Sequence, residues 1–284
     1  MPEAPSAFEH QVAGHAGTLL ALGDGRVAKQ ATAIETAFYQ QAPVRAPGLA
    51  EAFMPPFLGL AEVPFGDATA TALVMGDVLD GFERPCIADI KLGVRLYGDE
   101  ATAEKRERME HQARSTTSGA TGLRVCGMKV FDPTREAFDV YDRRFGRAIT
   151  AEQLGIAVDV LLGVLVPEPG VTAPHGPHGL VPAASEDARR HARAVCQRLI
   201  GQLGRLRETL AASPVRLYGA SALVVYEGMR TAGAPRTDVR LIDFVHSKFV
   251  DDADGPDTGA LFGVDNLLGL VRDALVRLDG AREP

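Results

Sequence analysis

Pro85-Cys86-Ile87-Ala88-Asp89-Ile90-Lys91-Leu92-Gly93 is the stretch from which the rest of the chain can be read. Proline opens an extended run and glycine closes it. Alternate residues of a β-strand share a face, so Asp89 and Lys91 project together while Ile87, Ile90 and Leu92 supply packing. Two readings follow. The pair is either an ordinary ion pair on an amphipathic strand, or a fixed acid and a fixed base at a phosphate site. Spacing alone leaves both open.

Working outward, 284 residues of which 46% are hydrophobic predict a soluble globular protein of one large domain or two lobes. No basic and apolar leader opens the sequence, and no run approaches the roughly 20 apolar residues of a membrane span, so neither secretion nor insertion is expected. The three cysteines, Cys86, Cys126 and Cys196, are scattered and odd in number. That excludes a disulfide framework and a paired-cysteine zinc site, and predicts a reducing compartment, cytosol or nucleus. A net charge of −7 argues against generic nucleic-acid binding. Between Arg84 and Arg147, however, 13 basic residues face 10 acids. A locally basic segment in an acidic chain predicts either a confined anion site or solvated helix faces.

Residues 1–7 read as a flexible start, with order beginning near Phe8. Gln11–Gly14 and Thr18–Leu22 read as strands, followed by a Gly23-Asp24-Gly25 turn and a third strand, Arg26–Gln30. Lys29 lies on that strand. Glu35 follows on a helix expected over Ala31–Gln41, and a strand lysine before a helix glutamate is the pairing that kinases use to position nucleotide phosphates. Residues 42–66 read as a connection with a short helix near Leu49–Phe53. Thr69–Met75 reads as a buried strand that leads through Gly76-Asp77-Val78 into a linker, where a two-lobed kinase places its hinge.

Asp99–Gln112 reads as a helix on which Lys105, Arg108 and Gln112 share a face. A hydroxyl-rich loop, Ser115–Gly119, and a strand, Leu123–Phe131, follow it. Arg143 and Arg144 come after another short extended run. Helices are predicted over Thr150–Val166, over Ser185–Ala211 with Ser185 as N-cap, and over Gly263–Leu278. Pro167–Pro182 is a loop whose His175 and His178 lack an adjoining acid or cysteine, so no metal is expected there. Arg216–Tyr226 and Val239–Val245 read as paired strands. Asp243 interrupts the apolar second strand and must bond locally or hold a cation, with magnesium a natural partner.

In this order the motifs resemble the inositol polyphosphate kinase family. The family pattern Pro-x-x-x-Asp-x-Lys-x-Gly is matched in full by Pro85–Gly93. His10-Gln11-Val12-Ala13-Gly14-His15 resembles the N-terminal block, and Leu241-Ile242-Asp243-Phe244-Val245-His246 resembles the metal-binding block. Tyr97-Gly98-Asp99, Glu104-Lys105 and Gly122-Leu123-Arg124-Val125-Cys126-Gly127-Met128-Lys129-Val130 are most similar to the inositol hexakisphosphate kinases.

The resemblance implies an α+β, two-lobed fold, protein-kinase-like or ATP-grasp-like. A small antiparallel sheet with one helix would fill residues 1–78. A larger α+β lobe would fill 79–284, with the inositol phosphate site in 91–147 and a metal-binding hairpin in 215–247. ATP and magnesium are implied as cofactors. Lys29 would hold the ATP phosphates, oriented by Glu35; backbone groups at Asp77 and Val78 would bond adenine, and Asp89 would contact the ribose. Lys91 would bridge the γ-phosphate and the substrate, making Lys91 and Asp89 the catalytic pair. Asp243 with Ser221 would bind the metal, and Lys105, Arg108, Gln112, Arg143, Arg144 and His246 would receive substrate phosphates.

Two departures from the pattern bear on activity. Ala220-Ser221-Ala222-Leu223 stands where the family has two consecutive serines, and Gly76 replaces an acid common at the hinge. The expected activity is ATP-dependent phosphorylation of inositol hexakisphosphate to a diphosphoinositol phosphate. The alternatives are a multikinase acting on hydroxyls of tris- and tetrakisphosphates and a non-catalytic inositol phosphate sensor. A monomer is expected, with inositol phosphates and ATP as partners.

Overall fold

A computed structural model describes residues 5–14, 17–168, 178–183, 185–228 and 233–280. In chain order the first elements are β1 (Ser6–Ala7), β2 (Leu19–Gly23), β3 (Arg26–Gln30), α1 (Ala33–Arg45), α2 (Pro47–Phe53), β4 (Phe57–Phe65) and β5 (Ala68–Gly76). After a linker come β6 (Pro85–Leu92), α3 (Ala103–Arg114), α4 (Thr117–Thr121), β7 (Leu123–Asp132), β8 (Ala137–Tyr141), α5 (Arg143–Ala148), α6 (Leu154–Leu161), β9 (Leu165–Pro167) and β10 (Leu180–Pro182). The chain then forms α7 (Glu186–Ala211), β11 (Val215–Arg216), β12 (Ser221–Glu227), β13 (Thr237–Ile242), β14 (Lys248–Phe249) and α8 (Thr258–Gly280).

Two five-stranded antiparallel sheets organise these elements, one in the order β1-β2-β3-β5-β4 and the other in the order β13-β12-β6-β7-β8. The α+β architecture expected from the motifs is thus present. In the first sheet, Asp24 and Gly25 both take positive φ (50° and 65°), which closes the β2–β3 hairpin with the twist that flanking strands prefer. In the second sheet β6 is central, and all of its residues except Lys91 are buried. One face of it, with Ala88, Ile90, Leu92, Leu123 and Val125, belongs to the main core shared with α6, α7 and α8. The opposite face carries Ile87, which packs with Leu79 and Val225 under Phe8 and Val12.

The pairing of β6 with β7 contains one irregularity. Asp89 pairs with Gly127 but Ile90 pairs with Val125, so Cys126 is the extra residue of a β-bulge. Three cross-strand rows result on the face opposite the core: Val225–Ile87–Lys129, Leu223–Asp89–Gly127 and Ser221–Lys91–Arg124. Directly opposed residues of antiparallel strands share a face, so each row is a contiguous strip.

Several expectations are corrected. Gln11–Gly14 is not a strand; pairing begins earlier, at Ser6–Ala7, before Phe8. The supposed connection over 42–66 contains β4, an edge strand, where Pro64 and a positive-φ Gly59 are tolerated because no further neighbour needs their bonds. Ser115–Gly119 is not all loop, since α4 begins at Thr117. The helix expected over Asp99–Gln112 starts at Ala103, where the Thr102 hydroxyl accepts from Lys105 N. Thr150–Val166 is helical only over Leu154–Leu161 and then turns into β9. Arg216–Tyr226 is two strands, broken at Gly219 (φ 70°). Asp243 does not lie inside a strand: β13 stops at Ile242, and Asp243 takes φ 65°. Ser185 does cap α7, accepting from Ala188 N. His175 lies outside the described residues.

Candidate active site

A cleft between the two sheets is lined by Lys29, Asp77, Val78, Ile87, Asp89 and Asp243, with residues of the segment Phe8–Gly14 along one side. Its acid–base centre is built by three distant elements. Lys29 Nζ on β3 lies 2.7 Å from Glu35 Oε1 on α1 and 2.5 Å from Asp243 Oδ1. Glu35 Oε1 also accepts from Phe244 N at 3.0 Å. Aromatic packing sets this geometry. Phe38, one turn along α1 from Glu35, stacks between Phe244 (4.7 Å) and Phe249 (4.6 Å), which pins α1 to the segment after β13.

Electrostatics divide the acids. Burial works to raise the Asp243 carboxyl, but the Lys29 ammonium outweighs it and, with help from Lys91, holds Asp243 below the ordinary carboxylate range. For Asp89 burial wins: its carboxyl is raised, the nearby Asp243 charge adds to this, and Lys91, Ser221 and Lys29 oppose it. Burial would lower Lys29, yet Asp243 and Glu35 raise it above the usual lysine value. Asp89 and Lys91 form no ion pair with each other among the described residues; Lys91 Nζ donates instead to Gly219 O at 2.6 Å. The ordinary ion-pair reading of the opening motif therefore does not apply.

The donor set fits a divalent cation. Among the described residues, Glu35 Oε2, Asp89 Oδ1 and Ser221 Oγ are buried oxygens without a hydrogen-bond partner, and the Asp243 charge is felt at Asp89, although no three acidic, histidine or cysteine side chains converge as a ready-made metal cluster. One or two carboxylates completed by phosphate oxygens and water are what a small hard cation takes. The three orphan atoms are the signature of a site designed for more than the protein itself supplies.

At the hinge, Asp77 N donates to Gly25 O and Leu79 N to Asp77 Oδ1, both at 2.8 Å. Of the three donors, Val78 N–H is the one without a partner among the described residues.

Beyond Lys91 lies a basic cluster. Lys105 Nζ is 3.2 Å from His246 Nε2, and His246 Nδ1 is 2.7 Å from Glu100 Oε1. Burial lowers the imidazole first, and the Lys105 and Lys91 charges lower it further against the Glu100 carboxylate. Lys105 and Gln112 are half-buried on α3, whereas Arg108 is exposed. Arg143 is not brought to this group. It is exposed at the start of α5, beyond β8 at the far edge of the sheet, and Arg144 is tied to Asp142 at 2.7 Å. Sequence reasoning missed Arg124, which stands next to Lys91 in the sheet, and His10, which pairs with Lys129 at 3.1 Å beside the cleft. An arginine inside an apolar strand was a signal of the same kind as Asp243.

The family model for inositol polyphosphate kinase matches residues 72–163 and 181–272, which contain β6, α3, β7, β12, β13 and Asp243. The chain belongs to the inositol polyphosphate kinase family. Among members of this family, mouse inositol hexakisphosphate kinase 3 is 28% identical over 71% of this chain and 50% of its own length. The inositol polyphosphate multikinase of Saccharomyces cerevisiae is 28% identical over 86% of this chain and 78% of its own. The crystal structure of the yeast inositol phosphate multikinase Ipk2 with ADP and Mn2+ superposes with a TM-score of 0.69 at 25% identity, covering 88% of this chain and 99% of that one. The chain spans about half the length of the hexakisphosphate kinases that it matches. No helix among the described residues is long and apolar enough to cross a membrane.

Proposed function

We propose that the chain is an ATP- and magnesium-dependent inositol phosphate kinase whose acceptor is inositol hexakisphosphate. The observation that carries the kinase reading is the convergence of Lys29, Asp89 and Asp243 in one cleft, with Lys91 between them and the Lys105–His246 cluster. Residues 5–78 and the hinge hold the nucleotide; Val78 N–H meets the base and Asp89 the ribose. Lys29, fixed by Glu35, meets the nucleotide phosphates. Asp243, with Ser221, would hold the cation, which when bound neutralises charge on the transferring phosphoryl group.

Phosphoryl transfer asks a protein mainly to position two polyanions and screen their repulsion. Lys91 sits where donor and acceptor would meet, and Lys105 and His246 present charge and a hydrogen-bond donor to the acceptor's phosphates. A phosphate acceptor needs no general base, because its oxygen is already anionic. A hydroxyl acceptor does, and the raised Asp89 carboxyl is the group within the cleft able to take a proton. That acid supports the second reading, a multikinase acting on inositol hydroxyls, which the likeness to the yeast multikinase supports equally.

Turnover assays with ATP and single inositol phosphates test both. Phosphorylation of hexakisphosphate supports the first reading; turnover of tris- and tetrakisphosphates alone selects the second. Tight binding without any turnover would leave a sensor.

A further inference from the structure

The segment Phe8–Gly14 leaves the first sheet after β1, lies against the second sheet, and the chain rejoins the first sheet at β2. It is fastened to the second sheet in three ways. Phe8 and Val12 pack with Leu79, Ile87 and Val225. The Val12 carbonyl lies so close over β7 that a Cβ at Gly127 would meet it at 2.0 Å. His10 stands edge-on to Phe138 of β8, and its Nδ1 is 3.1 Å from Lys129 Nζ of β7. The same ammonium sits 4.4 Å from the centre of the Phe138 ring, a cation–π contact that holds it in place. His10, Gln11, Val12, Ala13 and Gly14 line the cleft, so the segment is a strap across the two sheets on the side where the hinge lies.

Among these fastenings, the His10–Lys129 contact is the one that a proton can break. An ammonium has donors alone, so Nδ1 must accept, which fixes the ring as neutral with its proton on Nε2. Protonation would remove the acceptor and set two cations in contact. The charged groups that face the ring are Lys129 from β7, Glu9 within the strap and Asp77 from the hinge. Burial lowers the imidazole first and Lys129 lowers it further, against Glu9 and Asp77. The contact is therefore complete above the ordinary imidazole range and is lost as pH falls through it.

We infer that His10 and Lys129 form a latch that holds the strap over a bound nucleotide and sets how fast the nucleotide leaves. The inference rests on the kinase reading, which supplies the nucleotide. The two residues are positioning residues: they touch neither the transferred phosphoryl group nor its acceptor, and they act through the strap. A kinase must release ADP in every turnover, and the opening of a covering segment commonly limits that step. The apolar contacts of Phe8 and Val12 seat the strap whatever the pH, and the latch adds a strength that acid withdraws.

The test is the dissociation rate of a fluorescent ADP analogue in the presence of magnesium, read by stopped-flow displacement between pH 8 and pH 6. The parent is expected to release the analogue faster as pH falls. His10→Ala and Lys129→Met should each release it roughly tenfold faster than the parent at pH 8, the scale of one charged hydrogen bond. His10→Gln offers Lys129 an acceptor that does not titrate, so it should keep the parent's slow pH 8 rate across the range. Equal rates in the parent and in Lys129→Met at pH 8 overturn the inference and leave the kinase reading standing. A pH slope in His10→Gln as steep as the parent's does the same, and this comparison holds even where His10→Ala fails to fold. A parent chain that binds no adenine nucleotide overturns both.

Discussion

Lys29 and Asp243, 214 residues apart in the chain, meet at 2.5 Å in the cleft. The lysine takes one oxygen of the carboxylate, Oδ1, and leaves Oδ2 for the proposed cation, so one side chain can serve both the nucleotide lysine and the metal.

Asp243→Asn is therefore expected to lower turnover by roughly two to three orders of magnitude, the scale of losing one transition-state electrostatic contact. Its second effect is diagnostic: the gain in ADP affinity on adding magnesium should vanish. Titrating ADP with and without magnesium checks this, and an undiminished magnesium effect would remove Asp243 from the metal site.

Glu35 serves two partners while wholly buried, accepting from Lys29 Nζ and Phe244 N. Glu35→Ala should destabilise the fold by about 3 kcal/mol, because the buried Phe244 N–H is stranded and Lys29 keeps only one of its two carboxylates. Glu35→Gln keeps an acceptor for Phe244 and should cost less. Urea unfolding midpoints compare the two; equal losses would show that the charge, not the backbone bond, dominates.

Burial and the Lys105 charge hold the His246 imidazole below its ordinary value. The free site is thus neutral at that position near pH 7, and a bound polyanion favours the protonated ring. Binding takes up a proton, so hexakisphosphate affinity should rise as pH falls from about 7.5 toward the ordinary imidazole range. In His246→Gln the excess slope over the ligand's own titration should disappear. Calorimetry at several pH values reads it, and identical slopes would exclude His246 from phosphate binding.

Gly127 leaves no room for a side chain, because an added Cβ would lie 2.0 Å from Val12 O. Gly127→Ala should push the Phe8–Gly14 segment off the cleft, weaken ADP binding and cost about 1–3 kcal/mol of stability. Unchanged ADP affinity in a folded variant would show that this segment does not help to enclose the nucleotide.

What the sequence made legible follows from range. A proline and a glycine at its ends marked β6, an Asp-Gly turn marked the β2–β3 hairpin, and a serine cap marked the start of α7, all signals carried by neighbouring residues. β4 escaped because its proline and glycine read as loop, and only its edge position makes them harmless. Lys29, Glu35 and Asp243 were reached through motif order. Arg143 fell away because α5 packs its Phe145 and Gly146 against the core face of β7, opposite the cleft. Arg124 and the His10–Lys129 contact depend on register, which no local pattern states.

The bulge at Cys126 has a consequence of parity. Gly127 and Arg124 are separated by an odd number of positions, so an unbroken strand would send one toward the cleft and the other into the core. The supernumerary residue inverts the alternation midway along β7. Deleting Cys126 would restore regular alternation with both residues still on the cleft face, whereas one further insertion between them would turn the guanidinium into the hydrophobic interior, so the segment tolerates exchange of letters far better than an added one.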